Sequence, residues 1–207
     1  PVEISNGDLI LSARAQNGHR HILLGDFTGH GLSAAVAGPL VSSLFYSQAE
    51  QGIALEETAN RINHELYQKL PPEIFMAAIL IDWDVAQEKM QIWNCGMPSL
   101  LHYRKGVHLH AFKSNGLALG IVDRFYSGAK AERVEVHLGD DFFGYSDGVQ
   151  DVVSDTNVRF GEQRIRALLE RLLSENLPLE TVLKVLNNYA GESTIKDDAT
   201  LIQLQIS

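Results

Sequence analysis

Two hydrophobic periods run along this chain and divide it into elements. Leu9–Ala15 and His21–Gly25 are apolar runs of strand length separated by the polar Gln16-Asn17-Gly18, and Asn-Gly between such runs signals a hairpin. Asp26 is expected to end the second strand. From Leu32 to about Glu50 the sequence is too rich in small residues for an exposed helix and too polar for a membrane one, which predicts a buried helix, kinked or restarted at Gly38-Pro39. Leu55, Ala59, Ile62, Leu66 and Leu70 recur at helical spacing until Pro71-Pro72 stops them. Strands are then predicted over Phe75–Trp83, Lys89–Cys95, Ser99–Arg104 and Val107–Phe112, punctuated by Gly96, Pro98 and Gly106. Val134–Leu138 and Asp141–Tyr145 continue the strands across a Gly139-Asp140 turn. Phe160–Leu173 and Leu179–Tyr189 read as amphipathic helices, and Ala199–Ile206 as a closing strand. Helices followed by a strand meander imply helices layered on antiparallel sheet, an α+β class.

A chain of 207 residues with 45% hydrophobic composition can bury one sizeable core, so residues 1–207 are expected to form a single domain. Seventeen basic against 26 acidic residues give a formal net charge of -9, which argues against nucleic acid or an anionic membrane as partner. The lone Cys95 forbids an internal disulfide and suits a reducing compartment. With no apolar run near the roughly 20 residues of a membrane helix and no secretory leader, a cytoplasmic setting is expected. The start at Pro1, without Met, suggests a domain cut from a longer multidomain signalling protein.

Candidate chemistry centres on four aspartates, each beside a Gly or a second Asp where an apolar run ends. They stand as Asn6-Gly7-Asp8, Gly25-Asp26-Phe27-Thr28-Gly29-His30-Gly31, Tyr145-Ser146-Asp147-Gly148 and Lys196-Asp197-Asp198-Ala199-Thr200. Asp and Gly are common in turns for reasons unrelated to chemistry. Yet Asp26, Asp147 and Asp197 each abut a strand, strand ends of one sheet can converge, and carboxylates gathered without a cation repel one another. Short, anionic, oxygen-only ligands with positions left for water are what a hard divalent cation takes, so the pattern points to metal-assisted hydrolysis.

Competing chemistries find less support. The glycine loop lacks the Lys-Ser/Thr of a P-loop and the spacing of a dinucleotide fingerprint. There is no Gly-x-Ser-x-Gly elbow, and Cys95 in Trp93-Asn94-Cys95-Gly96 reads as a small core residue. Eight histidines include the alternate pairs His19/His21 and His108/His110, expected at strand edges, but neither a cysteine partner nor HExxH accompanies them to make a zinc site. His30, inside the glycine loop, reads equally as a proton donor and as a structural residue.

At these motifs the chain resembles the PPM family of metal-dependent serine/threonine phosphatases, relatives of protein phosphatase 2C, in the bacterial SpoIIE/RsbU-like branch. Asn94-Cys95-Gly96-Met97, Gly116-Leu117-Ala118-Leu119-Gly120 and Phe160-Gly161-x-x-Arg164 also follow that branch's pattern and order. Asn6 stands where the branch has its first Gly, Leu9 where an aromatic follows the Asp, and Met97 where it has His; none of these removes a proposed ligand.

The resemblance implies a four-layer α-β-β-α sandwich, two antiparallel sheets flanked by helices. It implies two ions, Mn²⁺ or Mg²⁺, bridged by Asp26. Asp8 and the Phe27 carbonyl would complete one ion's shell, and Asp147 with Asp197 would hold the other. Asp198, Gly29 and His30 are auxiliary candidates, Asp198 for a water or a further ion. The implied reaction is attack of a metal-activated water on phosphoserine or phosphothreonine, with Asp26, Asp147 and Asp197 carrying catalysis. The implied partners are a phosphorylated STAS-type anti-sigma-factor antagonist as substrate and an upstream receiver or sensor domain as input. A catalytically silent module that binds phosphoproteins or transmits a signal is the alternative.

Overall fold

A computed structural model of the chain describes residues 7–28, 32–124, 130–191 and 197–207, with backbone alone for 32–35. Its contacts divide the chain into two compact units, one from residues 1–99 and 112–137 and the other from 100–111 and 138–207.

In the first unit, β1 (Asp8–Arg14), β2 (Arg20–Phe27), β3 (Met76–Asp84), β4 (Lys89–Cys95) and β7 (Glu132–Glu135) form an antiparallel sheet in the order β1-β2-β3-β4-β7. Helices α1 (Leu32–Glu50) and α2 (Leu55–Lys69) pack against β1 and β3. Their shared core includes Leu11, Leu23, Val41, Phe45, Ile62, Leu66, Leu80 and Trp93. His21 to Gly25 are all buried, which is why β2 reads as an unbroken apolar run rather than an alternating one.

The second unit holds β5 (Leu100–Arg104), β6 (Val107–Phe112), β8 (Asp140–Tyr145) and β9 (Leu201–Gln205) in the order β6-β5-β8-β9. Three helices belong to it: α3 (Asp147–Gln150), α4 (Gly161–Ser174) and α5 (Glu180–Ala190). Ile165, Leu169, Leu172, Val182 and Leu186 from α4 and α5 share a core with Leu101, Tyr103, Phe143 and Tyr145 of the strands.

The α+β class with two antiparallel sheets and helices is as expected. Differences in detail have physical causes. Strand β2 runs through Asp26 to Phe27 because Phe27 N–H still donates to Gly7 O at 3.1 Å, so Asp26 lies inside the strand. Helix α1 is one element across Pro39, not two. Its Ala37, Val41, Phe45 and Ala49 are buried while Val36 and Tyr46 are exposed, so one face rather than the whole helix is covered. Helix α3, a single turn, is too short for any periodic signal. Among the described residues no helix is long and apolar enough to cross a membrane.

Candidate functional site

In the first unit the carboxylates are placed by a hairpin. The turn between β1 and β2 closes with Gly18 N–H on Ala15 O (2.9 Å) and Ala15 N–H on His19 O (2.8 Å), with Gly18 at φ +91. Asn17 Oδ1 accepts from His19 N–H at 3.0 Å. From Arg14↔Arg20 the register runs without a bulge to Asp8↔Asp26 at the open end. Directly opposed residues hold their Cβ atoms about 4.5–5.5 Å apart, and two like charges so placed repel unless a cation sits between them. Asp8 Oδ1 is withdrawn from solvent.

Past the hairpin the chain is stapled by Thr28. Its N–H donates to Phe75 O (2.9 Å), its hydroxyl is within bonding distance of Glu73 O (2.9 Å) and Phe75 O (3.2 Å), and Phe75 N–H donates back to that hydroxyl (3.0 Å). Phe27, with its ring in the core, is thereby held on both sides, so its carbonyl has a set place beside Asp26. Thr28 carries no signal in the sequence beyond its place in the glycine loop. Gly29 and His30 lie outside the described residues.

In the second unit, Asp147 opens α3 where β8 ends, exposed between buried Ser146 and Gly148. The Asp197-Asp198 segment precedes β9, the strand paired with β8, so both acidic stretches reach the same end of this sheet. Ser146 N–H donates to Thr200 O at 3.0 Å, continuing the β8–β9 ladder by one step. Gly148 lies so close to Asp198 that a Cβ there would overlap the Asp198 carbonyl oxygen. Asp197 Oδ1 accepts from the N–H of Asp198 at 2.9 Å, which orders the bend between them.

Asp8, Asp26 and Phe27 stand at one end of the first sheet, and Asp147 and the Asp197-Asp198 segment at one end of the second. Among the described residues no three or more His, Cys, Asp or Glu side chains gather as a metal-binding group. Small acidic sets nevertheless suit Mg²⁺ and its like, which keep several waters and bind through one or two carboxylates plus substrate phosphate oxygens. A softer metal finds no thiolate, since burial pushes the Cys95 thiol up to about 12.

The other motifs are structural. Asn94 Nδ2 donates to Pro98 O (2.9 Å) and Phe112 O (3.1 Å) and its Oδ1 accepts from Met97 N–H (3.0 Å), clamping a turn in which Gly96 has φ +92. Gly120 N–H donates to Asn63 Oδ1 at 2.9 Å, tying the Gly116–Gly120 stretch to α2. Arg164 donates to Phe160 O and Arg159 O and lies over the Tyr189 ring, at the start of α4. Of the paired histidines, His21 is interior to β2 rather than at an edge, 1% exposed, with Asp82 Oδ1 3.5 Å from its Nε2. His108 and His110 lie on the edge strand β6.

Among curated protein sequences none matches the chain significantly. Solved structures match over nearly its whole length. The SiaA-PP2C domain of Pseudomonas aeruginosa superposes with a TM-score of 0.81 at 21% identity, covering 100% of this chain and 83% of that one. The PP2C phosphatase domain of SpoIIE from Bacillus subtilis, solved with a fragment of its regulatory domain, gives 0.76 at 18% identity over 98% of this chain. This chain spans 59% of that structure's length. RsbX in complex with magnesium gives 0.68 at 17% identity, covering 98% and 88% of the two chains. These likenesses show a shared fold. The family model of stage II sporulation protein E matches residues 16–207, a stretch that begins after Asp8. The chain therefore belongs to the SpoIIE family of PP2C-type serine/threonine phosphatase domains.

Proposed function

We propose that this chain hydrolyses phosphoserine or phosphothreonine on a regulatory protein in the cytoplasm, using two divalent ions, Mn²⁺ or Mg²⁺. The observation that carries the reading is the placement of carboxylates at strand ends in both units of a SpoIIE-family chain: Asp8 in register with Asp26, and the Asp147 turn against the Asp197-Asp198 segment. Asp26 would be shared by both ions, Asp8 and the Phe27 carbonyl would complete one, and Asp147 with Asp197 would hold the other. Asp198 would orient a water or take a further ion. Such a pair of ions, when bound, acidifies a coordinated water and neutralises charge on the phosphoryl oxygens.

The chain's own contribution is to hold these oxygens still before substrate arrives, so that little reorganisation is left for the reaction. Hydrolysis adds water across the P–O ester bond, releasing inorganic phosphate and the protein hydroxyl. Magnesium in RsbX favours the same class of ion here. A phosphorylated STAS-type anti-sigma-factor antagonist is the proposed substrate, and a receiver or sensor domain the proposed input.

Phosphate release from a phosphoprotein or p-nitrophenyl phosphate, measured with and without Mn²⁺, tests the reading. Asp26→Ala and Asp147→Ala should each lower it by more than about 100-fold, the upper end of the loss seen when a ligand's supporting partner is removed. Turnover that survives both substitutions would rule it out. A catalytically silent module would instead release no phosphate even when saturated with Mn²⁺.

A further inference from the structure

Ser146 occupies the N-cap position of α3, where a serine hydroxyl ordinarily accepts from a backbone N–H of the helix it opens, yet it makes no such bond. Its hydroxyl faces the other strand instead. Strands β8 and β9 pair antiparallel as far as Tyr145↔Leu201, and the next step sets Ser146 opposite Thr200. A regular ladder would exchange two backbone bonds there. One forms, from Ser146 N–H to Thr200 O. The second does not, because the chain has already turned into α3 and the Ser146 carbonyl accepts from Val149 N–H at 3.2 Å.

The side chain takes over the missing bond: Thr200 N–H donates to Ser146 Oγ at 3.0 Å. The same hydroxyl donates to Asp198 O at 3.3 Å. One fully buried hydroxyl therefore ties the residue before Asp147 to both ends of Asp198-Ala199-Thr200. Gly148, on the other side of Asp147, leaves room for the same Asp198 carbonyl. The exposed Asp147 carboxylate is bracketed by two contacts to the segment that carries Asp197 and Asp198.

We infer that Ser146 is a positioning residue for the metal-binding carboxylates of this unit: its hydroxyl stands in for a ladder carbonyl and so sets the distance between Asp147 and the Asp197-Asp198 pair. The inference rests on the metal-binding role proposed above for those carboxylates. It assigns Ser146 no contact with substrate. Removing the hydroxyl deletes both of its bonds to the Asp198–Thr200 segment while leaving every carboxylate in the chain.

Calorimetric titration of the whole chain with Mn²⁺, beside thermal unfolding in EDTA and phosphate-release kinetics, tests this on wild type, Ser146→Ala and Ser146→Thr. Ser146→Ala should bind Mn²⁺ about 10–100-fold more weakly, as outer partners of metal ligands do when removed. Its metal-free melting temperature should fall by a few degrees, as for any buried hydroxyl removed, with the loss in Mn²⁺-bound stability larger still; its Mn²⁺ requirement should rise, and its KM for the phosphorylated substrate should hold. Ser146→Thr, which keeps the hydroxyl, should restore Mn²⁺ affinity. Wild-type affinity in Ser146→Ala overturns the inference, as does equal loss of affinity in both variants. Mn²⁺ binding by wild type without phosphate release would reject the phosphatase reading and leave the Ser146 comparison standing.

Discussion

In the five-stranded unit Asp8 faces Asp26 because an uninterrupted ladder from Arg14↔Arg20 leaves it nowhere else to be; in the four-stranded unit the Asp147 turn meets the Asp198 segment through one hydroxyl and one missing Cβ. The first arrangement is secured by many weak constraints, since a slip of one residue would turn Leu11 and Leu23 out of the core. The second is secured by a few contacts. A placement shared among many residue pairs tolerates single changes, whereas one resting on a few atoms does not.

The glycine preceding or following each aspartate separates the two cases most sharply. In Gly148→Ala the new methyl meets the Asp198 backbone, which must move. A displacement near 1 Å costs about 100-fold in rate, and overpacking costs about 1–3 kcal/mol. In Gly25→Ala the new methyl lies 2.7 Å from Met76 Sδ and 3.2 Å from Met76 Cγ and Leu23 Cδ2, side-chain atoms of the core rather than backbone, for about 1–3 kcal/mol of stability and little loss of turnover. Phosphate release and denaturant unfolding of the two variants measure the contrast, and equal losses of turnover would break it.

Metal removal comes next. If both carboxylate sets hold ions, EDTA should lower the thermal midpoint, since a ligand at 100 times its Kd stabilises by about 2.7 kcal/mol. Asp26→Ala and Asp147→Ala should each shrink that shift. A variant that keeps the full EDTA shift would show that its unit takes no part in binding.

A smaller effect is expected at the hairpin turn. Gly18 has φ +91 and nothing within 4 Å of where a Cβ would stand, so Gly18→Ala adds backbone strain of about 1 kcal/mol without a clash. Because apolar pairs, not the turn alone, hold the register, Mn²⁺-saturated turnover should persist. Its loss would show that the turn sets the Asp8–Asp26 pairing.

The smallest effect is a pH dependence common to both units. His21 in β2 and His102 in β5 are buried beside Asp82 and Asp140, and burial, outweighing the carboxylates, lowers both imidazole pKa values below 6.5. The unfolded chain then binds protons first as pH falls, so stability is complete above about 6.5 and declines between there and the lowered folded values. Urea unfolding at pH 7.5 and 5.5 should show the drop, and His21→Gln or His102→Gln should flatten it. An unchanged slope in both variants would place the dependence elsewhere.

Much of this architecture was legible in the residues. Leu55, Ala59, Ile62 and Leu66 on α2 and the apolar runs of β2 and β3 carry their periods openly, because each element must bury one face or both. Glycines beside aspartates marked strand ends to within about three residues. The single turn of α3 and the stapling by Thr28 were not legible, since neither leaves a repeat. Arg164 followed a family pattern in the sequence, and only its bonds to Phe160 O and Arg159 O show that it fastens the start of α4. Ser146 was the least legible, for a serine before a helix reads as a cap and here its hydroxyl serves a strand.

By itself the sequence determined the strands, the helices and the acidic residues at their ends, because periodicity and turn chemistry act over a few neighbouring residues. Which carboxylate stands beside which was decided by tertiary structure. Ser146 and Asp198 are 52 positions apart, and their bond exists only once β8 and β9 have paired. Contacts of that span depend on register and on the exact room left by a glycine, and local pattern carries no record of either.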